Sequence, residues 1–323
     1  MTPDPLRRTR VVGAYAIQPA VPAERPGFIR QVLSLPGCDG LEIPFGSVAY
    51  AEDEHWLWDT MPPGGRHIVT LIGGEFDRYA RDATFGLASA EPAGRRAALD
   101  LLRECRDEVR RRSARREQAI VAVEIHSVPT MAPRDARAGA ERFTESLVEA
   151  AAWDWCGAAL VVEHCDARTP GLPWRKGLLP LALEIQAVRA ARRAVPAARL
   201  GLSLNWGRSA IETRDPDGPR RAARAARATD VLCGVMFSGV SDRPSSYGGE
   251  WADVHVPLRP GIGADEPGEP TSIMTADHVR STLDAAGVGL VFDGVKVSMR
   301  PRDRPNRERL ALIGSVLAAM ERP

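Results

Sequence analysis

The chain repeats one pattern from end to end: a short apolar run rich in β-branched residues, followed by a longer amphipathic stretch. The runs lie at residues 10–16, 40–44, 67–72, 120–126, 158–165, 200–205, 231–237 and 290–297. Their nearly continuous apolar character is the strongest constraint on the fold. A strand with one wet face alternates apolar and polar residues, whereas segments such as AIVAVEI and AALVV need cover on both faces. Between the runs, Ala/Arg/Leu-rich segments at 93–115, 136–152, 176–194 and 306–320 show helical spacing. Eight such units predict an α/β protein, a single (β/α)8 TIM barrel over residues 1–323 with long loops after strands two and seven. A doubly wound open sheet would use the same elements, but no GxGxxG follows the first run.

Charge and cysteine content narrow the partners. The 43 basic and 42 acidic side chains leave a formal charge of +1, which gives no reason to expect nucleic acid or an anionic membrane. No apolar run reaches the roughly 18 residues that suggest a membrane span. The opening MTPDPLRRTR lacks the apolar core of a signal peptide, so a cytoplasmic location is expected. Five scattered cysteines without a CxxC pair argue against a disulfide framework or zinc knuckle. A homodimer is expected on general frequency alone. Two Gly/Pro-rich, Trp-containing excursions, 46–66 and 238–271, follow the second and seventh strands and are expected to fold as partial lids. The Arg-dense stretch 103–116 reads as the solvated face of a helix.

Barrels of this kind build their sites at the carboxyl ends of strands. In chain order those ends offer Tyr15, Glu42, His126, the cluster Glu163-His164-Cys165-Asp166, Asn205, Ser238 and Lys296. The two-residue strand period puts Glu163 and Cys165 on one side and His164 and Asp166 on the other. It also puts Glu124 on the face of His126, where a carboxylate could fix the imidazole tautomer. Only two of the 43 cationic residues are lysines, Lys176 and Lys296. An ammonium, unlike a guanidinium, can lose its proton when buried. Trp56, Trp58, Trp174, Trp206 and Trp251 all follow strands, where their rings could stack on a sugar. The segment Asn205-Trp206-Gly207-Arg208-Ser209 opens a helix whose N–H groups could bind a hydroxyl, carboxylate or phosphate with Arg208 assisting. Arg300 and Arg302 mark a second place for a phosphate.

The order of these strand-end residues resembles the xylose-isomerase-like barrels, which include sugar isomerases and epimerases, an inosose dehydratase and endonuclease IV. The segments VVGAYA, GLEIPF, FGLAS, AWDWCGAALVVEHCDA, LNWGRSAIE, MFSGVS, YGGEWADVHVPL and GVKV resemble a bacterial family of such barrels known only by an unknown-function label. The resemblance implies a metal set of one carboxylate on strand five, an acid on strand six, His on strand seven and Glu on strand eight. Several members add an Asp-x-His pair after strand seven. Glu163 matches the first position, and Asp253 and His255 match the pair. Asn205, Ser238 and Lys296 stand at the other three, which points to a degenerate metal site.

The expected activity is that of a sugar or cyclitol isomerase or epimerase, with proton transfer next to a carbonyl and β-elimination as a variant. The substrate is expected to be a small hydroxylated compound: a sugar, sugar phosphate or cyclitol. Glu163 is the expected base, and His126 or Glu42 its partner acid/base. Tyr15, Asn205, Trp206, Arg208, Ser238, Lys176 and Trp251 are the expected substrate contacts. Either Lys296 without a cofactor, or a Zn²⁺ or Mn²⁺ ion on Glu163, His255 and Asp253, would stabilise the enediolate. The metal-free form is preferred because a protonated lysine and a dication repel at a few ångströms. Lys296 could also form a Schiff base, or simply pair with Glu163. The alternatives are glycosidic-bond cleavage by Glu42 and Glu163 and a non-catalytic sugar-binding barrel. DNA cleavage is disfavoured by the incomplete metal set and the absence of basic excess.

Overall fold

In the computed structural model, which describes residues 8–52, 54–115, 119–261 and 266–321, the eight expected strands close into a parallel barrel in chain order. They are β1 (Thr9–Val12), β2 (Gly40–Pro44), β3 (Arg66–Thr70), β4 (Ala119–Ile125), β5 (Ala159–His164), β6 (Leu200–Asn205), β7 (Leu232–Phe237) and β8 (Phe292–Val295). β8 closes the ring on β1 through Val11 opposite Gly294. The helices are α1 (Arg25–Leu33), α2 (Glu54–Thr60), α3 (Ile72–Arg81), α4 (Pro92–Arg115), α5 (Ala136–Ala151), α6 (Leu181–Ala194), α7 (Trp206–Thr213), α8 (Gly218–Ala228), α9 (Ala276–Ala286) and α10 (Asn306–Met320). The sequence segment 1–7, which carries most of the argument against a signal peptide, lies outside the described residues. No described helix is long and apolar enough to cross a membrane.

Two hydrophobic cores follow from the strand period. On β5, Leu160 and Val162 join the large cluster between barrel and helices, while Ala159 and Val161 face the barrel axis. The axial cluster includes Val11, Ile68, Met236 and Phe292 and plugs the amino-terminal half of the barrel. Gly234 admits the Phe292 ring, because a Cβ there would stand 2.3 Å from its Cζ. Each large apolar side chain so buried contributes roughly 1.5–3 kcal/mol. The plug leaves the carboxyl-terminal half to Glu42, Glu124, Glu163, Ser203, Asn205 and Lys296, all fully or almost fully buried.

Two expectations about loops change. The helix expected from residue 176 begins at Leu181, because Pro180 occupies the preceding cap position with an extended backbone. Lys176 therefore sits in the loop after β5, next to Gly177 at φ +65°. The second half of the excursion after β2 is α2, which packs on the barrel flank, where Trp56 and Trp58 join the outer core. Trp58 lies under the Arg112 guanidinium, which stands 4.5 Å from its ring centroid. The excursion after β7 is pinned by antiparallel bridges, Gly239 to Val256 and Ser241 to Ser272; its residues 262–265 lie outside the description.

Candidate active site

Lys296 follows β8 and its ammonium is wholly buried at the barrel axis. It donates to Glu42 Oε1 at 2.6 Å and to the Tyr15 hydroxyl at 3.1 Å. Glu42 Oε2 has no partner among the described residues. Gly13 makes room for it, since a Cβ there would lie 2.5 Å from Glu42 Oε2. Burial pushes the Glu42 carboxyl up, with Glu163 adding to the rise, while Lys296 holds it down. Burial would lower the Lys296 ammonium, yet Glu42, Tyr15 and Glu163 raise it well above its ordinary value. Lys296 is therefore a fixed cation, which leaves it unsuited to Schiff-base chemistry at neutral pH. Its ion-pair partner is Glu42, and not Glu163 as in the alternative of a simple ion pair.

Across the barrel, His126 is clamped between two carboxylates. Its Nδ1 lies 2.6 Å from Glu75 Oε2 and its Nε2 lies 2.7 Å from Glu163 Oε2. Burial alone would lower the imidazole, but Glu75 and Glu163 raise it to about 9, so both nitrogens carry protons and donate. Glu75 takes the place expected for Glu124 behind the ring. Glu124 instead accepts from Ser203 Oγ at 2.7 Å, and burial with Glu163 and Glu42 nearby pushes it well up. Glu75 escaped the sequence reading because it stands in the first turn of α3, beyond the strand end. The signal was the Gly73-Gly74 pair before it. A Cβ on Gly74 would meet the Phe45 carbonyl at 2.6 Å, so the glycines let α3 settle into the mouth.

Glu163 is saturated. Besides His126, it accepts from Asn205 Nδ2 at 3.1 Å and from Arg208 Nη1 at 2.7 Å. Burial opposes its ionisation, but Arg208, Lys296 and His126 hold it well below the usual carboxylate range. A carboxylate so stabilised is a weak base, contrary to the role expected from sequence. Asn205 also caps α7, its side chain accepting from the Arg208 backbone N–H. The helix start proposed as an anion cradle is thus filled from within, and Arg208 turns inward. Its Nε donates to Asp253 Oδ2 at 3.3 Å and its Nη1 also reaches Cys165 Sγ at 3.2 Å. Nη2 has no protein partner among the described residues.

The loop after β7 completes the mouth. His255 adopts φ +58°, a strained backbone for a non-glycine residue. The Ser298 N–H donates to its carbonyl at 2.7 Å, and the Gly239–Val256 bridge flanks it, so the conformation is over-determined. Its Nδ1 lies 2.7 Å from Ser238 Oγ. Burial, reinforced by Lys296, Arg208 and Lys176 against the pull of Asp253, lowers the imidazole to about 3. At neutral pH it is uncharged, and Nε2 is left for a ligand. Lys176 Nζ stands 3.6 Å from Asp253 Oδ2 and 4.7 Å above the Phe76 ring.

Two expected contacts lie elsewhere. Trp206 is fully buried and packs 5.8 Å from His278, on the outer side of β6. The Trp251 ring lies 5.0 Å from the Arg214 guanidinium, at the end of α7. A tryptophan after a strand is a sequence-level signal for either packing or binding, and here packing engages both.

The residues do not fit the divalent ion that the resemblance implies. His126, Glu163 and Cys165 do approach within 4.8 Å of one another. However, both His126 nitrogens and both Glu163 oxygens already have protein partners. Burial pushes the Cys165 thiol well up, whereas a ligating sulfur must be a thiolate. Arg208 itself bridges Glu163, Cys165 and Asp253, putting one cation among the donors, with Lys296 a second nearby. The guanidinium satisfies the acids that an ion would need.

The closed ring of eight parallel strands with its intervening helices makes the protein a (β/α)8 TIM barrel. The chain is similar to 3-keto-D-glucoside 4-epimerase YcjR from E. coli, at 15% identity and a TM-score of 0.53, over 97% of this chain and 98% of that one. It is also similar to D-psicose 3-epimerase from Clostridium cellulolyticum H10, at 14% identity and a TM-score of 0.53, over 97% of each chain. L-ribulose 3-epimerase gives 15% identity and a TM-score of 0.55, over 97% of this chain and 94% of that one. Within this class the chain belongs to the family described as "Domain of unknown function (DUF4862)", whose model matches residues 11–312. A relative from Salmonella typhimurium (strain LT2), "Uncharacterized protein STM3670", is 31% identical over 292 residues, 89% of this chain and 88% of that protein.

Proposed function

We propose that this protein moves a proton at a carbon next to the carbonyl of a small sugar or cyclitol, as an isomerase or epimerase. The observation that carries the reading is the buried pair of Glu42 and Lys296, in which Glu42 Oε2 has no hydrogen-bond donor beside a fixed ammonium. A carboxyl pushed up by burial is a stronger base than Glu163, whose ionised form is held low by Arg208, Lys296 and His126. Glu42 takes the carbon-bound proton, and the electron pair of that bond moves to the carbonyl oxygen as an enediolate. Lys296, Arg208 Nη2 and the neutral His255 ring supply charge and donors for that oxygen.

Return of the proton to the neighbouring carbon, with the hydroxyl proton shifting between oxygens, gives an isomer. An epimer forms when Glu42 keeps the proton it took and the same carbon receives another from the opposite face, supplied by the protonated His126 through Glu163. Glu163, three strands round the barrel with His126 behind it, faces that side and positions Arg208. The neighbours named 3-keto-D-glucoside 4-epimerase, D-psicose 3-epimerase and L-ribulose 3-epimerase support a sugar as the substrate class.

The test is solvent deuterium exchange, followed by proton NMR, on a panel of ketopentoses, ketohexoses and 3-ketoglucosides. The wild-type protein is expected to wash deuterium into the carbon next to the carbonyl of at least one panel member. Glu42→Gln is expected to slow the exchange by at least about 100-fold. No exchange with any panel member, or full exchange in Glu42→Gln, would overturn the reading.

A further inference from the structure

A cavity of about 280 Å³ opens between the segment that follows β1 and the segment that follows β8. Tyr15 and Tyr50, their ring centroids 5.0 Å apart, line it with Arg25, Arg300, Arg302 and Arg309, and no carboxylate is among its lining residues. In a chain whose overall formal charge is +1, such a one-signed concavity is not a consequence of bulk composition. Its volume is close to the lower end of small-ligand pockets, ~300 Å³. We propose that this cavity is an oxyanion subsite that receives the phosphate or carboxylate group of an acidic sugar.

Arg300 and Arg309 are positioned by carbonyls, which orient a guanidinium without neutralising it. Arg309, only 3% exposed, donates Nη1 to the Ile17 carbonyl at 2.6 Å and Nη2 to the Arg302 carbonyl. Its Nε is buried without a partner. Arg300 donates Nη1 to the Met299 carbonyl at 2.8 Å. Burial, and then the neighbouring charge of Arg302, push the Arg300 guanidinium below its ordinary value. Glu24 and Asp303 act on Arg309 electrostatically, but neither lines the cavity. A bound oxyanion would answer the orphaned donor and relieve the repulsion between Arg300 and Arg302.

The place is also mechanistically sensible. Loops after the last strands of a barrel frequently hold a phosphate. Tyr15 lines the cavity and its hydroxyl accepts from Lys296 Nζ at 3.1 Å, so the remainder of an anchored molecule is led toward the buried base pair. The claim that the anion belongs to the substrate rests on the reading given under Proposed function. Binding of the anion itself does not.

The experiment is calorimetric titration of the full chain with inorganic phosphate and, separately, with D-glycerate, at low and at physiological ionic strength. One saturable site per chain is expected, weakened by salt and weakened roughly tenfold in Arg302→Gln and in Arg300→Gln. Arg302 has an exposed side chain, so its variant folds and keeps the test decisive. Tighter binding of phosphate than of glycerate assigns a phosphorylated substrate, and the reverse order a sugar acid. No saturable binding of either anion, or unchanged affinity in both variants, would overturn the subsite. Glu42→Gln should bind phosphate as the wild type does. Loss of the exchange reaction with phosphate binding intact would count against the catalytic reading alone. Full turnover of an uncharged sugar, insensitive to Arg302→Gln, would count against the subsite alone.

Discussion

Two histidines on neighbouring strands are each gripped by a pair of carboxylates, one inside the barrel and one outside it. His126 joins Glu75 and Glu163 at the mouth, and His164 joins Glu184 at 2.6 Å and Glu212 at 2.9 Å on the outer face. Both imidazoles are buried, and in both the acids outweigh burial, raising them to about 9 and about 10. What differs is the company of the acids. Glu184 accepts from Ser127 Oγ and Glu212 accepts from the Ala167 N–H, so the outer clamp ties β5 to α6 and α7. Glu163 instead accepts from Arg208, which also donates to Asp253 and Cys165. The same local chemistry thus serves cohesion on one face and electrostatic preparation on the other.

The sharpest way to break this division is to compare turnover in variants of each face. Lys296→Met, which removes the inner cation, should lower turnover by about 1,000-fold, whereas His164→Gln should leave the folded protein within about twofold, both read as exchange rates per folded chain. Equal losses in the two would erase the distinction.

Next in size is stability. His164→Gln leaves the buried Glu184 and the half-buried Glu212 facing one another and should cost about 3 kcal/mol in urea unfolding. His126→Gln should cost less, because Glu163 keeps Arg208 and Asn205, while turnover falls about 100-fold. A larger stability loss for His126→Gln than for His164→Gln would contradict this account.

A pH series sharpens the comparison further. Both folded imidazoles bind their protons more tightly than the unfolded chain, whose histidines titrate near 6.5. Their stabilisation is therefore complete below about pH 6.5 and is lost as pH rises through about 9 and about 10. The urea midpoint should fall over that window, and the fall should shrink in His164→Gln. A midpoint that rises with pH there would reverse the sign.

The smallest effect is expected from chelation. With Arg208 holding the acids, prolonged dialysis against EDTA should leave exchange unchanged, checked with elemental analysis of the protein. A fall in rate that Zn²⁺ or Mn²⁺ restores would show that the guanidinium yields to an ion.

Much of this was legible in the linear chain, and the misses share a cause. The strand at 200–205 and the helix at 306–320 coincide with the observed elements, because apolar periodicity is a local property. The opposition of Glu163 and His164 also follows from strand geometry alone. Glu75 and the inward turn of Arg208 did not follow, since both reach the mouth from helices, past the strand ends that the periodicity marks. Trp206 carried the same sequence signal as a binding residue, and only packing against His278 assigns it to the core.

By itself the sequence determined the barrel, its register of inward and outward faces, and which ionisable residues end the strands, because burial on both sides of a strand leaves few other arrangements. The tertiary structure decided which acid meets which cation. Lys296 chose Glu42, and Glu163 was taken by Arg208 and His126. Such pairings depend on distances of a few ångströms in a low-dielectric interior, where a shift of one helical turn exchanges a base for a spectator.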